Sequence, residues 1–225
     1  MNNTKLVFMT LLLAALGFST LQAQIGVRGG INLASVFLDG NEQDLEDIKN
    51  TTILTPTVGV YFPLKITDFF AIQPEVSFIQ KGGIRNFTNK VKLLDIEETT
   101  RLNFLEIPVM AKLYLGDETK FFVEGGPFAA LAINGKRDYA VSGAGTEGIV
   151  ESSVDMVFDN KESEDYAKRF EYGASVGAGM LFGKIMVNLR YSLGFNNLLD
   201  DDVDSTNDSR VLRTRGLSLT AGFEF

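Results

Sequence analysis

The chain has 225 residues, enough for one domain of ordinary size or one barrel, and its formal net charge of −8 argues against a nucleic-acid partner. It contains no cysteine, which excludes disulfides, thiolate metal sites and a lipoprotein-type acylated cysteine, and no histidine, the commonest general base and zinc ligand. Mean hydropathy is close to zero, which excludes a bundle of transmembrane helices but fits the alternating strands of a membrane β-barrel.

Residues 1–23 have the three parts of a secretory signal peptide. Lys5 supplies the positive start, residues 6–18 form the apolar run, and Leu21-Gln22-Ala23 provides a small-residue cleavage end. The alternative is a membrane anchor, but the apolar run is shorter than the ~20 residues that a spanning helix needs. We therefore predict cleavage before Gln24. Removal of Lys5 from the 21 basic residues leaves 20 against 29 acidic ones, a net charge of −9.

After the signal, the chain alternates strand-like runs with connections. Within each run every second residue is apolar, which is the period of a β-strand, because successive side chains leave opposite sides of the backbone. Eight strands are predicted, at residues 25–36, 53–64, 70–80, 101–115, 121–134, 170–182, 185–196 and 216–225. In the last strand, one face carries Leu217, Leu219, Ala221, Phe223 and Phe225, and the other carries Gly216, Ser218, Thr220, Gly222 and Glu224.

The connections alternate strictly between long and short. The long ones cover residues 38–52, 82–100, 135–169 and 198–212, and the short ones lie at 65–69, 116–120 and 183–184. In an up-and-down barrel this order places every long loop at one end and every tight turn at the other, as in outer-membrane barrels. We therefore predict an all-β, eight-stranded antiparallel up-and-down transmembrane β-barrel over residues 24–225, closed by pairing of the last strand with the first.

The position of the charges distinguishes a membrane barrel from a soluble one. A soluble lipocalin-like barrel is apolar inside and polar outside. Here the ionised residues share one strand face, which favours lipid outside and charges inside. Folding the fourth and fifth strands about Glu118 sets Lys112 opposite Glu124, a stabilising pair. The predicted interior charge network contains Arg28, Glu75, Glu106, Lys112, Glu124, Glu171 and Arg190, and the same face also carries Lys81 and Glu224.

Four further stretches of the mature chain are distinctive: Gly29-Gly-Ile-Asn-Leu33, Gln73-Pro-Glu-Val-Ser-Phe-Ile-Gln-Lys-Gly82, Leu105-Glu-Ile-Pro-Val109 and Arg190-Tyr-Ser-Leu-Gly194. Together with the aromatic C-terminus, they resemble the PorT-like outer-membrane β-barrel family of Bacteroidota, whose barrels are similar to the small OmpX and OmpA barrels. The resemblance implies an eight-stranded barrel in the outer membrane of a Gram-negative bacterium, inserted by the barrel-assembly machinery. That machinery reads a C-terminal aromatic strand, which here presents Leu217, Leu219, Phe223 and Phe225.

Three features of the sequence suggest a pore, a calcium site and a phosphate loop, and each is better explained in another way. Eight strands enclose only enough room for side chains, so the interior charges predict a plugged, salt-bridged lumen rather than a pore. The acidic tract 200–204, with Asn207 and Asp208, lacks the glycine and glutamate of an EF-hand loop and predicts a solvated loop, as does 38–50. Gly177-Ala-Gly179 before Gly183-Lys184 does not fit a phosphate loop and instead predicts inward small residues and a two-residue hairpin turn.

Three hypotheses follow. The first is a structural or interaction protein that displays four long acidic loops to an extracellular protein or glycan. The second is an accessory component of protein secretion or a narrow transport conduit, and a soluble periplasmic barrel is a third alternative. Barrel enzymes such as lipases use histidine, so we expect no enzymatic activity, cofactor or metal. The expected partners are outer-membrane lipid and the barrel-assembly machinery, with no nucleic acid.

Overall fold

The computed structural model describes residues 24–39, 45–89, 94–116, 119–143, 150–158, 166–198 and 211–225. The predicted signal peptide, residues 1–23, and the acidic tract at 200–208 lie outside these residues. Within the described ranges, no helix has the length and apolar character needed to cross a membrane.

Eight strands form the wall of the molecule. They are β1 (Gly26–Asp39), β2 (Ile53–Tyr61), β3 (Phe70–Asn89), β4 (Leu94–Leu115), β5 (Thr119–Gly143), β6 (Phe170–Phe182), β7 (Ile185–Gly194) and β8 (Val211–Glu224). Five shorter strands, which we name by their residues, are Leu45–Thr51, Leu64–Lys65, Val150–Asp155, Val157–Phe158 and Tyr166–Ala167.

The eight wall strands close into an antiparallel ring. Each pairs with the next along the chain, and β8 returns to pair with β1 from Gly26 opposite Glu224 to Asp39 opposite Val211. The predicted eight-stranded up-and-down barrel is therefore confirmed. The predicted two-residue hairpin is present as well, since Gly183 and Lys184 link the paired residues Phe182 and Ile185, and Gly183 has a positive φ of 59°.

Alternate residues of each strand face opposite sides of the wall, and the polarity of the two sides agrees with the sequence. Leu189 and Leu219 are each 49% exposed, whereas Glu106 and Arg190 are each 3% exposed. Because a barrel that exposes its aliphatic face and buries its ionised face would be unstable in water, this arrangement requires lipid outside. Each strand contributes an outward aliphatic residue to this apolar band: Ile31, Val58, Val76, Val109, Val123, Val176, Leu189 and Leu219.

The barrel wall extends further at the long-loop end than the sequence indicated. The predicted loop at 82–100 is wrong in large part, because β3 continues to Asn89 and β4 begins at Leu94, with Gly82 opposite Arg101 and Asn89 opposite Leu94. The predicted loops at 38–52 and 135–169 also contain strands. We call the resulting sheet the outer sheet; its strands, in order, are Leu45–Thr51, the ends of β3, β4 and β5, and Val150–Asp155.

The reason for this error lies in side-chain polarity. Lipid and lumen impose an apolar and a polar face on a strand only within the membrane, whereas both faces of the outer sheet are available to water. Backbone hydrogen bonds continue along β3, β4 and β5 whatever the side chains are, since every amide and carbonyl still needs a partner. A prediction from polarity alone therefore ends these strands too early.

Large inward side chains lie opposite glycine on the neighbouring strand. Tyr61 pairs with Gly26, Phe122 with Gly179, and Phe128 with Gly173. A Cβ atom on Gly26 would lie 2.2 Å from the Tyr61 ring, and on Gly179 2.4 Å from the Phe122 ring. Because an eight-stranded lumen is narrow, each ring covers the bare backbone across the ladder, and the glycine provides the room that the ring needs.

We predict that Gly26→Val destabilises the barrel by about 1–3 kcal/mol, because the new side chain collides with the Tyr61 ring. In the Tyr61→Ala background the same change will cost less, since the obstacle has gone. The measurement is the urea concentration at which the purified protein loses the mobility difference between unheated and heated gel samples.

Gly29→Val provides the matched control on the same strand. A Cβ atom on Gly29 meets only the Thr57 carbonyl oxygen, at an ordinary 3.7 Å. We expect this variant to unfold near the wild-type urea concentration. Equal losses for the Gly26 and Gly29 variants would contradict the packing explanation.

Candidate functional site

The lumen of the barrel is the candidate site, and an apolar cluster lies towards each of its ends. An inner apolar cluster near the short turns contains Tyr61, Ala71, Tyr114, Phe122, Leu181 and Met186. An outer apolar cluster towards the long-loop end contains Val36, Ile79, Leu102, Phe104, Phe128, Ala130, Ala132, Met156, Leu198 and Leu212. Eight ionised side chains lie between and beside these clusters, in two groups, and Glu224 is buried separately at the end of β8.

The inner charge group joins five strands through Arg190. Its guanidinium binds Glu75 with two hydrogen bonds of 2.8 Å each and Glu124 with a third of 2.6 Å from Nε. Arg28 lies 2.7 Å from the second oxygen of Glu75, and Lys112 lies 3.4 Å from Glu124. Arginine suits this position, because its planar fork holds one carboxylate with two donors and leaves Nε for another.

The outer charge group is centred on Lys81. Its ammonium lies 2.8 Å from Glu106 and 2.7 Å from Glu171, and the Thr214 hydroxyl donates a hydrogen bond to Glu171. The same ammonium lies 4.4 Å from the centroid of the Phe128 ring, a cation–π distance. Lys81 therefore connects the outer apolar cluster with the buried carboxylates.

The two groups balance each other in charge. The inner group has three cations and two carboxylates, whereas the outer group has one cation and two carboxylates, so the eight ionised side chains cancel. Burial of an unpaired ion costs several kcal/mol, and pairing offsets this only when partners and hydrogen bonds are complete. Pairing within and between the two groups is thus a condition for a dry lumen between the apolar clusters.

The two proline motifs lie at this network. In Gln73-Pro-Glu, the Gln73 side-chain amide donates a hydrogen bond of 2.6 Å to Glu75, the carboxylate that also binds Arg190. The β3–β4 ladder is interrupted between the pairs Pro74–Val109 and Ser77–Glu106, and the interrupted stretch contains Glu75 and Pro108. Proline has no backbone N–H, so it suits a place where the ladder opens.

All seven sequence-predicted interior charges face the lumen and are buried: Arg28, Glu75, Glu106, Lys112, Glu124, Glu171 and Arg190. Lys112 pairs directly with Glu124 across the β4–β5 ladder, as the sequence indicated. The sequence reasoning omitted Lys81 from the network, although its parity with Glu75 on β3 was a sufficient signal. The residues Leu217, Leu219, Phe223 and Phe225 lie on the outer face of the barrel wall.

Little free space remains among the charges. The cavity bordered by Arg28, Glu106, Asn188, Arg190 and Thr220 measures about 10 Å³, which is near the room needed for one water molecule. In the described part of the chain, no three histidine, cysteine, aspartate or glutamate side chains form a group that could hold a metal ion. A solute would therefore have to displace ion pairs to pass through this lumen.

Comparisons with known proteins identify one matching family model. The model described as outer membrane protein beta-barrel domain matches residues 17–200. Solved structures similar to the chain include OprG from Pseudomonas aeruginosa, at 10% identity and a TM-score of 0.47, with 91% of this chain and 97% of that chain covered. Ail, the attachment invasion locus protein of Yersinia pestis, is 13% identical with a TM-score of 0.39 and coverages of 91% and 100%. The E. coli outer membrane protein W is 17% identical with a TM-score of 0.40, and 92% of this chain and 100% of that chain are covered. The curated proteins include no match.

We predict that Lys81→Met destabilises the barrel by about 3–5 kcal/mol, because it leaves Glu106 and Glu171 buried without a cation. The triple variant Lys81→Met, Glu106→Gln, Glu171→Gln will recover most of this loss, since it removes the unpaired charges together. Urea unfolding followed by the gel-mobility difference provides the measurement.

The control is the exposed ion pair between Arg101 and Asp138, whose charged atoms lie 2.5 Å apart. Water screens this pair, so Arg101→Met will cost at most about 1 kcal/mol. A Lys81 variant as stable as the Arg101 variant would contradict the role of the outer charge group.

Proposed function

Because the chain belongs to the family of outer membrane protein β-barrel domains and lies in the outer membrane of a Gram-negative bacterium, we propose that it is a non-conducting barrel that presents the outer sheet for interactions. The observation that carries this proposal is the continuation of three wall strands into a five-stranded sheet. A barrel with only a structural role would need no ordered sheet beyond the membrane.

The outer sheet has the properties of a docking platform. In the described part of the chain, strands Leu45–Thr51 and Val150–Asp155 each pair on one side only, with β3 and β5 respectively. Edge strands leave backbone donors and acceptors available to another chain. We propose that an extracellular protein or glycan binds here and at the acidic loops.

The filled lumen supports a non-conducting role over the alternative of a transport conduit. Ion pairs link residues on opposite sides of the barrel, such as Arg190 with Glu75, and apolar clusters lie towards each end. Solute passage would require these pairs to separate in a low-dielectric interior. We therefore propose that the charges stabilise the wall and do not select a solute.

Three finer assignments complete the proposal. Membership of the PorT-like group is supported by the positions of Gln73-Pro-Glu75 and Glu106-Ile-Pro108 at the charge network. A non-catalytic role is supported by the absence of histidine and cysteine from the sequence. Recognition by the barrel-assembly machinery is supported by the outward aromatic end of β8, where the Phe223 and Phe225 rings lie 5.4 Å apart.

The orientation can be tested with single cysteines, since the wild-type chain contains none. Ser152 is exposed on the outer sheet, and Asp68 is exposed in the turn between β2 and β3, so each is suited to replacement by cysteine. We expect a membrane-impermeant maleimide to label Ser152→Cys on intact cells and Asp68→Cys only after the outer membrane is permeabilised. The reverse labelling pattern would place the outer sheet in the periplasm and refute the platform role.

Conductance in planar bilayers tests the sealed lumen. We expect no discrete openings from the purified wild-type protein, because both charge groups are paired. Glu75→Ala with Arg190→Ala removes the central pair and provides the comparison: any openings should appear in this variant alone. Steady wild-type channels would favour the conduit alternative.

A further inference from the structure

A cavity at the short-turn end of the barrel brings together charged groups that lie outside the two charge groups of the lumen. It measures about 190 Å³ and is lined by Gln24, Lys65, Lys120, Leu181, Gly183, Lys184 and Glu224. We call this cavity the inner mouth. Its three lysines come from the three short connections of the chain, so every tight turn contributes one ammonium group. Because the short turns of outer-membrane barrels lie on the periplasmic side, the inner mouth faces the periplasm.

The three lysines of the inner mouth have no carboxylate bound to them. Within the described ranges, Lys65, Lys120 and Lys184 form no ion pair. Lys65 donates a hydrogen bond of 3.0 Å to the Gln24 side chain, and the Lys184 ammonium lies 5.8 Å from the centroid of the Phe223 ring. Lys65 and Lys184 are exposed, and Lys120 is half-buried. An anion that enters from the periplasm can therefore reach their ammonium groups.

Glu224 supplies the opposite charge from the buried side of the inner mouth. Its side chain is 4% exposed and still lines the cavity. In the part of the chain that the structure describes, it forms neither an ion pair nor a side-chain hydrogen bond. The charges of Lys112, Lys65 and Lys120 act on it over a longer range. Because a buried carboxylate without a bound partner is costly, a cation that reaches Glu224 from the cavity is stabilised there.

The inner mouth thus contains ammonium groups and a carboxylate that do not neutralise each other by direct contact. A small ion of one sign would satisfy one kind of group and be repelled by the other. A ligand that carries both a carboxylate and an ammonium group satisfies both kinds. The volume of the cavity equals that of roughly six water molecules, which is enough for the head group of an α-amino acid and too small for a folded domain.

We propose that the inner mouth binds the zwitterionic head group of an α-amino acid from the periplasm. The lysines donate charge-assisted hydrogen bonds to its carboxylate, and Glu224 accepts hydrogen bonds from its ammonium group. A free amino acid can supply this head group, and so can the free end of a diamino acid in a cell-wall peptide. The proposal rests on the outer-membrane location and is independent of the interaction role of the outer sheet.

The test uses the purified protein in phosphatidylcholine nanodiscs and three small probes of similar size. Alanine carries both charges, propionate only the carboxylate and ethylamine only the ammonium group. Saturation-transfer NMR detects weak binding, and titration provides a Kd for each probe. We expect alanine to bind roughly tenfold more tightly than propionate or ethylamine, since one charge-assisted hydrogen bond contributes about this factor.

A soluble cell-wall fragment with a free diamino-acid end identifies the source of the head group. Tighter binding of the fragment than of alanine assigns the site to the wall peptide. Weaker binding assigns it to a free amino acid.

Two variants separate the roles of the opposite charges. Glu224→Gln should weaken alanine binding by roughly tenfold and leave propionate binding no weaker, because propionate has no ammonium group to lose. Lys120→Met should weaken the binding of both probes, since both carry the carboxylate. The matched controls are Glu97→Gln and Lys136→Met, which remove an exposed carboxylate and an exposed ammonium group from the outer sheet. Both controls should bind alanine as the wild type does.

Several outcomes would overturn the proposal. Alanine that binds no more tightly than propionate would show that the ammonium group is not recognised, and alanine that binds no more tightly than ethylamine would show the same for the carboxylate. Equal losses in the control variants would reduce the effect to net charge. Folding of each variant is checked by gel mobility, and if Glu224→Gln does not fold, the three probes with the wild type and Lys120→Met still decide the question. None of these results depends on whether the lumen conducts or the outer sheet binds a partner.

Discussion

The backbone hydrogen bonds between the first and last strands are the interaction on which the molecule depends. In hydrocarbon an unpaired amide or carbonyl has no water to bind, so an open sheet would expose two costly edges. Pairing of β1 with β8 from Gly26–Glu224 to Asp39–Val211 removes both, and the Phe225 amide continues the ladder with a bond of 2.9 Å to the Ile25 carbonyl. The outward aliphatic band has a stable position only because this ring is closed.

Closure of eight strands also creates a narrow interior that must be filled. Two kinds of packing fill this interior. Aromatic rings occupy the space left by glycines across the ladder, as with Tyr61 and Gly26, and carboxylates and cations pair elsewhere. The two kinds of packing meet at the lysines. The Lys112 ammonium lies 4.1 Å from the centroid of the Phe122 ring, and Lys81 makes a similar cation–π contact with the Phe128 ring. The apolar clusters thereby lower the access of water to the ion pairs and strengthen them.

The sequence predicted most of what the membrane imposes. The alternation of period two assigned Leu219 and Ser218 to opposite faces of the wall, and the position of one hairpin turn placed Lys112 opposite Glu124. Both predictions succeed because they depend only on local parity and turn position. The inward aromatic residues Phe122 and Phe128 were not predicted, since their role appears only when glycines from another strand face them. The outer sheet was not predicted either, because water on both faces removes the alternation that marks a strand.

The interior ion pairs join residues that lie far apart along the chain. Arg190 and Glu75 are 115 positions apart, and Lys81 and Glu171 are 90 apart. The two hydrogen bonds that Arg190 donates to Glu75 form only after the seventh strand has arrived, and until then these groups require water as a partner. The lumen therefore dries late in biogenesis, when nearly the whole chain is in place. An incomplete barrel keeps a hydrated, ionised core, which opposes its premature burial in the bilayer and makes insertion and completion of the ring a single cooperative event.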